Sequence, residues 1–319
     1  MVGHGDGYSQ RLSNKTMKEE EVNNLLVSII VVTYNSSKYI IETLNSVKNQ
    51  TYKNIELIVT DDCSTDNTVA LCRNWIDANN ARFTNTILLT IEKNTGVSAN
   101  VNRGYKVANG KWLKSLAGDD CLEPNAIEDY VRFAEENNCQ ICAAGMNYID
   151  DNSNAINPLD GAYSSYLKDL DESYDKQLKK IYKGIFFPGN PLFFSKEVIE
   201  KTGGNDEKYP FADEWPFHYR ILKSGYKICP LNRNLIRYRV HIGSLCRNST
   251  GKRDNRITKS MRSFYYNVVL PDLLKKHCLF TAWHGVVFYF IYDKSEKYKY
   301  LLLLSPISYI NKIKKILNI

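Results

Sequence analysis

The 319-residue sequence contains no long apolar run, and no stretch reaches the ~18 apolar residues that a membrane-spanning helix needs. Residues 1–24 also lack the apolar core of a secretory signal peptide, and we interpret them as a flexible N-terminal lead-in. A transmembrane protein and a secreted protein are therefore both disfavoured.

The eight cysteines do not follow the spacing of a zinc site. Cys139 and Cys142 form one CxxC pair, but no second ligand pair follows at zinc-ribbon or zinc-finger spacing. This pair also lies inside an apolar run, whereas a redox CxxC normally opens a helix. We interpret the cysteines as buried free thiols, which are typical of a cytoplasmic protein.

Glycine-rich phosphate-binding motifs are absent as well. No GxGxxG follows the first apolar run, and no GxxxxGK[ST] occurs anywhere in the chain. A bound phosphate would therefore have to be held by a metal ion together with isolated cationic side chains. Arg103 is the candidate for such a contact, and a solvated or salt-bridged arginine is the alternative interpretation.

The net charge of +7 is unevenly distributed along the chain. Residues 221–319 carry a formal charge of +15, whereas residues 1–220 carry −8. The sequence is thus an acidic body followed by a basic C-terminal part. Nucleic acid is not the expected partner, because no nucleic-acid-binding signature accompanies the basic residues.

Apolar runs alternate with segments of helical periodicity over the first half of the chain. The runs lie at 27–32, 55–60, 86–91, 112–116 and 141–144. This alternation predicts an α/β fold with a doubly wound, mostly parallel sheet. The helices between the runs have candidate first-turn or capping residues at Ser36 or Ser37, Asp66, Ser98 and Pro124.

Polar and acidic segments follow the predicted strands, at the sheet edge where ligands of such folds bind. These segments are 33–35, 61–64, 94–96 and 118–120. In the last of them, Asp119 and Asp120 can bind Mg²⁺ or Mn²⁺ through oxygen. The alternative is that one aspartate caps the next helix while the other is solvated.

Three segments carry a resemblance to a known family: VSIIVVTYNSSKYIIETLNSVKNQTYKNIELIVTDDCSTDNT (27–68), NTGVSANVNRGYKVANGKWLKSLAGDD (94–120) and ADEWPFHYRILKSGYKI (212–228). They resemble family 2 glycosyltransferases of the GT-A fold, and with looser matches at 187–195 and 238–244 the resemblance covers most of 27–245. It implies an inverting, metal-dependent enzyme that moves a sugar from a UDP-sugar to a saccharide hydroxyl.

The resemblance also implies roles for individual residues. Asp62 would accept a hydrogen bond from the uracil ring, and Asp120 would be the direct ligand of Mn²⁺ or Mg²⁺. Ala117 departs from the family pattern, since many members have a further aspartate there. His241 would be a late metal or diphosphate ligand, or alternatively a partly buried histidine at a strand end. The remaining nucleotide-sugar-binding positions implied are Thr33, Tyr34, Asn35, Arg103 and Asp119.

The acidic pair Asp213–Glu214 matches the family's catalytic carboxylates, with Glu214 as the general base. A positioned carboxylate would accept the proton of the acceptor hydroxyl during attack. We expect Trp215 to form an aromatic wall beside Glu214 and to raise its pKa by desolvation.

Two other functions fit parts of the pattern. A nucleotidyltransferase shares the α/β architecture and the paired carboxylates, but residues 33–37 lack the glycine-rich, cationic loop expected after its first strand. A catalytically silent saccharide-binding module is the second alternative, and the joint presence of Asp120 and Glu214 argues against it.

The predicted organisation is a GT-A domain at 25–245 followed by a basic, aromatic, mainly helical extension at 246–319. Cationic aromatic segments suit the surface of an anionic membrane, which predicts a cytoplasmic enzyme held at the inner face of the membrane near a lipid-linked saccharide acceptor. The alternative is that residues 260–292 form a helical pair packed on the catalytic domain.

Overall fold

The computed structural model describes residues 22, 24–157, 166–170, 172–184, 188–241 and 255–291. Side chains are described in these ranges except at 169 and 287–291. The predicted N-terminal lead-in lies almost entirely outside the described residues. So do residues 246–254 and 292–319 of the predicted basic extension.

The first half of the chain forms the parallel part of one sheet. Its strands are β1 (Val27–Thr33), β2 (Ile55–Asp61), β3 (Asn85–Leu89) and β4 (Trp112–Ala117), in the spatial order β3-β2-β1-β4. All three neighbouring pairs are parallel. The parallel arrangement expected from the continuous apolar runs is confirmed. Nearly every residue of β1 and β2 is buried, as in a parallel sheet that is covered on both faces.

Four helices connect and follow these strands: α1 (Ile40–Lys48), α2 (Thr68–Asn79), α3 (Val97–Val107) and α4 (Ala126–Glu136). Asp66 accepts a hydrogen bond from the backbone N–H of Thr68 at 3.0 Å, as predicted for the start of α2. The predicted serine cap of α1 is wrong. The carbonyl of Ser36 instead closes a turn with the N–H groups of Tyr39 and Ile40, so the helix begins one turn later.

The second half of the chain extends the sheet with mixed directions. Its strands are β5 (Cys121–Leu122), β6 (Ile141–Ile149), β7 (Ala155–Ile156), β8 (Leu192–Ser195) and β9 (Cys229–Arg239). β8 lies antiparallel between β4 and β6, and β6 runs parallel to β9. The helices of this half are α5 (Tyr166–Leu170), α6 (Tyr174–Tyr182), α7 (Lys196–Thr202) and α8 (Glu214–Lys223). β9 pairs antiparallel with β5, which directly follows the Asp119–Asp120 pair.

The described part of the C-terminal extension is helical. It comprises α9 (Asn255–Phe264), a π-helical turn (Tyr265–Val269), α10 (Leu270–Lys275) and α11 (Leu279–Ile291). Its inner side shares an apolar cluster with α8, in which Trp215 contacts Phe264 edge-on at a centroid distance of 5.1 Å. This region therefore packs on the helix that begins at Glu214. Within the described ranges, no helix is both long enough and apolar enough to cross a membrane.

Candidate functional site

The loops after β1 and β2 are joined by hydrogen bonds. Thr33 Oγ1 donates to Asp61 Oδ2 at 2.8 Å, and Asp61 Oδ1 accepts from the N–H of Ser64 at 2.8 Å. Asn35 adopts a positive φ of 51° while its N–H donates to Ser64 Oγ at 2.8 Å. Between these anchored residues, the Tyr34 side chain is 48% exposed. The predicted base-binding segment thus presents one aromatic ring to solvent at the carboxyl edge of the sheet.

Asp62 joins the end of β2 to the loop that precedes α3. Its Oδ2 accepts from the N–H groups of Thr95 (2.9 Å) and Gly96 (2.7 Å). Its Oδ1 accepts from Thr95 Oγ1 and from Arg103 Nη2, both at 2.7 Å. Gly96 has a φ of 90°, and a Cβ there would lie 2.6 Å from Cβ of Pro210, so only glycine fits.

These contacts fix the positions of Asp62 and Arg103, but they do not test the roles predicted for them. Asp62 is 2% exposed, and each of its oxygens already accepts two hydrogen bonds. A uracil N–H could reach this carboxylate only if one present donor moved. Arg103 is ion-paired with Asp62, which is the salt-bridged alternative considered for it, so the uracil and diphosphate contacts both stay predictions.

Asp119 and His241 meet at the edge of the sheet. Asp119 Oδ2 lies 2.9 Å from His241 Nε2, and the two side chains are 29% and 13% exposed. The His241 ring also contacts Tyr39, with a centroid distance of 4.8 Å. Two side chains from distant parts of the sequence, each able to ligate a divalent cation, therefore converge on one point.

Asp120 is enclosed instead. It is 2% exposed, its Oδ1 accepts from the backbone N–H of Arg239 at 2.7 Å, and its Oδ2 accepts from Asn190 Nδ2. Burial, with a smaller contribution from the charge of Asp119, raises the pKa of Asp120 well above the ordinary range. The carboxylate with open access is that of Asp119, whereas Asp120 was predicted to be the direct metal ligand.

Arg239 is a site residue that the sequence analysis missed. Its fully buried guanidinium donates to Glu42 Oε2 at 2.5 Å and to the carbonyl of Asp119 at 2.8 Å. Burial raises the pKa of Glu42, but hydrogen bonds from Ser153 and the charge of Arg239 outweigh it and lower the pKa. The available signal was an arginine inside the apolar strand two residues before His241.

The residues present fit a divalent cation with few protein ligands. The carboxylate of Asp119 and the imidazole of His241 are 2.9 Å apart and partly exposed. Mg²⁺ and Mn²⁺ accept such ligands and complete their coordination with water and phosphate oxygens. Among the residues that the structure describes, no cluster of three or more histidine, cysteine or carboxylate side chains could hold a metal ion. Any such cation would therefore complete its coordination with water or with oxygens of a ligand.

Glu214 begins α8, and its side chain is held by a neighbouring turn. The N–H of Gly189 donates to Glu214 Oε1 at 2.8 Å. Asp213 precedes it as the N-cap residue, and burial raises the pKa of the Asp213 carboxyl. The ring of Trp215 packs in the C-terminal apolar cluster, and its Nε1 donates to the carbonyl of Ile181 at 2.9 Å. The expected aromatic wall beside Glu214 is thus replaced by the backbone of Gly189.

One turn connects the two predicted catalytic centres. Residues 188–191, here called the linking turn, donate from Gly189 to Glu214 and from Asn190 to Asp120. The turn therefore contacts Glu214 through Gly189 and, through Asn190, the Asp120 that adjoins the Asp119–His241 pair. The sequence signal was the PGNP motif, whose two prolines indicated a turn without showing what it contacts.

The mixed sheet, with helices on its faces and carboxylates at the carboxyl ends of its strands, has the GT-A architecture predicted from the sequence, in which ligands bind at that edge. The profile described as "Glycosyl transferase family 2" matches residues 28–203, more than half of the chain. The protein belongs to this family, and it is a glycosyltransferase.

Solved structures show the same fold. The crystal structure of Staphylococcus aureus TarS 1-349 has a TM-score of 0.60 and 19% sequence identity, covering 86% of this chain and 74% of that chain. TarS 1-349 in complex with UDP-GlcNAc also has a TM-score of 0.60, with 18% identity, covering 88% and 79%.

Sequence relatives carry the same activity in their names. An uncharacterized glycosyltransferase of Methanocaldococcus jannaschii is 26% identical over 276 residues, covering 85% of this chain and 87% of the relative. The Escherichia coli UDP-Glc:alpha-D-GlcNAc-diphosphoundecaprenol beta-1,3-glucosyltransferase WfaP is 29% identical over 268 residues, covering 79% and 96%.

Proposed function

We propose that this glycosyltransferase moves a sugar from a UDP-sugar to a hydroxyl of a saccharide acceptor, with inversion at the anomeric carbon and with Mn²⁺ or Mg²⁺ bound. The observation that carries the proposal is the linking turn, which contacts Asp120 at one end of the site and Glu214 at the other. A leaving diphosphate beside Asp119 and an acceptor hydroxyl beside Glu214 would then lie on either side of one anomeric carbon.

Each step of the reaction has a residue suited to it. The exposed ring of Tyr34 would stack on the nucleotide base, and Asp119 with His241 would hold the divalent cation. When bound, that cation stabilises the charge that develops on the diphosphate. Glu214 accepts the proton of the acceptor hydroxyl as the oxygen attacks. A single displacement of this kind inverts the configuration of the transferred sugar.

The donor and acceptor classes are proposed from the relatives. The TarS complexes contain UDP-GlcNAc or UDP, and the name of WfaP specifies a UDP-glucose donor and a diphosphoundecaprenol-linked acceptor. We extend to this chain a UDP-sugar donor and a lipid-linked saccharide acceptor in the synthesis of a cell-surface polysaccharide. Such an acceptor lies at the membrane.

The surface of the C-terminal helices supports peripheral binding to an anionic membrane at its cytoplasmic face. The ends of α10 and α11 that flank their connecting turn expose four large apolar side chains, Leu274, Leu279, Phe280 and Trp283, with exposed fractions of 44–63%. Lys275 and Lys276 are exposed beside them, and no acidic residue occurs from 273 to 292. Apolar side chains flanked by cations complement the interface of an anionic bilayer.

The test is the release of UDP from a panel of UDP-sugars in the presence of a saccharide acceptor, with Mn²⁺, with Mg²⁺ and with a chelator. We expect release with one or a few donors, and only when a divalent cation is present. Metal-independent release would remove the cation from the proposal. An absence of release across donors and acceptors, with UDP still bound, would favour the silent binding module.

A further inference from the structure

A buried lysine that the proposed reaction does not use lies behind the site. Lys114 is on β4, in the interior of the sheet, and its side chain is fully buried. Its Nζ donates to the carbonyl of Ser115 at 2.6 Å and to the carbonyl of Asn190. No salt bridge to Lys114 is present among the described residues. Burial against two neutral carbonyls destabilises the charged form of this lysine.

The linking turn also contacts residues other than the two carboxylates of the site. The Pro191 carbonyl accepts from Tyr130 at 2.7 Å and from the N–H of Ala144 at 3.2 Å. Among these contacts, that of Lys114 with the Asn190 carbonyl is the one made by a basic side chain. The front of the same turn donates to the two carboxylates of the site.

We propose that Lys114 is a positioning residue, whose Nζ fixes the linking turn through the Asn190 carbonyl. The turn then sets the separation between the carboxylates of Asp120 and Glu214. This inference rests on the proposed function, because that separation matters only if the leaving group and the general base act on the same sugar.

The electrostatics of the buried pocket agree with this role. Burial lowers the pKa of Lys114 to about 7, and the carboxylate of Asp120 offsets part of that lowering. At neutral pH the ammonium and amine forms of Lys114 are therefore both populated, and both donate to the Asn190 carbonyl; the charge-assisted hydrogen bond of the ammonium form is the shorter and stronger one. The turn is thus held by a side-chain donor in addition to its backbone contacts.

The experiment compares Lys114→Met with the wild-type enzyme by steady-state kinetics. Methionine fills a similar volume without the charge, so the core remains packed. We expect kcat to fall on the order of 10²-fold, since misplacing a reacting group by about 1 Å has that effect, while KM for the donor changes little. A merely structural lysine would lower the melting temperature and leave kcat per folded enzyme unchanged.

Lys111→Met is the matched control. Lys111 lies three residues earlier, is half-exposed and pairs with Glu135 at the surface. This substitution should leave kcat and KM at the wild-type values.

If Lys114→Met does not fold, Lys114→Gln, which keeps a hydrogen-bond donor without the charge, takes its place in the same measurements. A Cβ at Gly189 would lie 3.2 Å from Glu214 Cγ, so Gly189→Ala should shift Glu214 by a few tenths of an ångström and lower kcat. In the double variant, the losses should be less than additive, because both substitutions act on one turn. Full additivity, or wild-type kcat in Lys114→Met, would overturn the inference. A wild-type enzyme that transfers no sugar would instead contradict the proposed function.

Discussion

At the scale of single residues, two adjacent aspartates have different surroundings. Asp119 is partly exposed and paired with His241, whereas Asp120 is buried between Asn190 and the backbone of Arg239. The sequence shows only two neighbouring carboxylates. Their separation into an open and an enclosed group depends on contacts with residues 70 and more than 100 positions away.

Asp119→Asn should therefore weaken the metal-dependent part of UDP binding by about 10-fold or more, because it removes the accessible charged ligand. UDP binding with a chelator should stay near the wild-type value. Isothermal titration of UDP with and without Mn²⁺ measures both quantities. An unchanged Mn²⁺ dependence would exclude Asp119 as a ligand. Asp120→Asn, which alters a buried group, separates the two roles if its effect on the metal dependence is smaller.

Glu214→Gln should lower sugar transfer by about 10²–10⁴-fold, because glutamine cannot accept the acceptor proton. The glutamine carbonyl still accepts from the N–H of Gly189, so the site geometry and UDP binding should be retained. Transfer assays and UDP titrations on the same preparation measure the two effects. The control is Glu197→Gln, an exposed residue of α7. Wild-type transfer by Glu214→Gln would show that another group is the base.

At the scale of elements, one aspartate fastens the C-terminal helices to the catalytic domain. Asp272, on α10, accepts from Tyr219 at 2.6 Å, from Lys223 at 2.7 Å and from Tyr182. Partial burial raises the pKa of Asp272, but hydrogen bonds from these side chains outweigh it and hold the pKa well below the ordinary range. The ionised carboxylate is therefore the form that the folded state favours.

Because its pKa is depressed in the folded state, Asp272 contributes stability above the ordinary carboxyl pKa of about 4, and that contribution is lost as the pH falls towards the folded-state pKa. Asp272→Asn should cost about 2 kcal/mol at neutral pH and should lose less stability on acidification than the wild type. Urea unfolding at pH 7 and pH 3 measures both. Asp77→Asn, an exposed change on α2, should leave the pH dependence unaltered. Equal pH dependence in the wild type and Asp272→Asn would contradict this role.

The elements differ in how far the sequence predicted them. The strands β1, β2 and β4 are buried on both faces, so their apolar runs were readable and their parallel order followed. The strands β5, β7 and β8 have two to four residues, which is too short for a period to show. Lys114 and Arg239 escaped notice because a charged residue ordinarily indicates a surface position.

At the scale of the whole molecule, the acidic and the basic parts of the chain have different tasks. The carboxylates of the first 220 residues supply the site, and the described part of the basic region packs one face on α8 while exposing apolar side chains on another. The two interpretations of the C-terminal extension are therefore compatible. Packing on the domain is observed, and membrane binding is proposed for the outer surface.

Leu279→Ser combined with Trp283→Ser should reduce binding to vesicles containing phosphatidylglycerol by roughly 10-fold or more. The double substitution removes the two most exposed of the four large apolar side chains on α10 and α11. Sedimentation with vesicles measures the loss, and neutral phosphatidylcholine vesicles should bind the wild type weakly. UDP binding and the melting temperature should be unchanged. Equal vesicle binding by both proteins would place the membrane contact elsewhere or remove it.

The central claim, that this site transfers a sugar from UDP by a single displacement, is tested most directly by the anomeric configuration of the product. With an α-linked UDP-sugar and its acceptor, proton NMR of the purified glycoside should show a β linkage and the release of UDP. An α-linked product would contradict the single displacement. Transfer of UMP to the acceptor with release of sugar 1-phosphate, instead of release of UDP, would identify a nucleotidyltransferase and contradict the account as a whole.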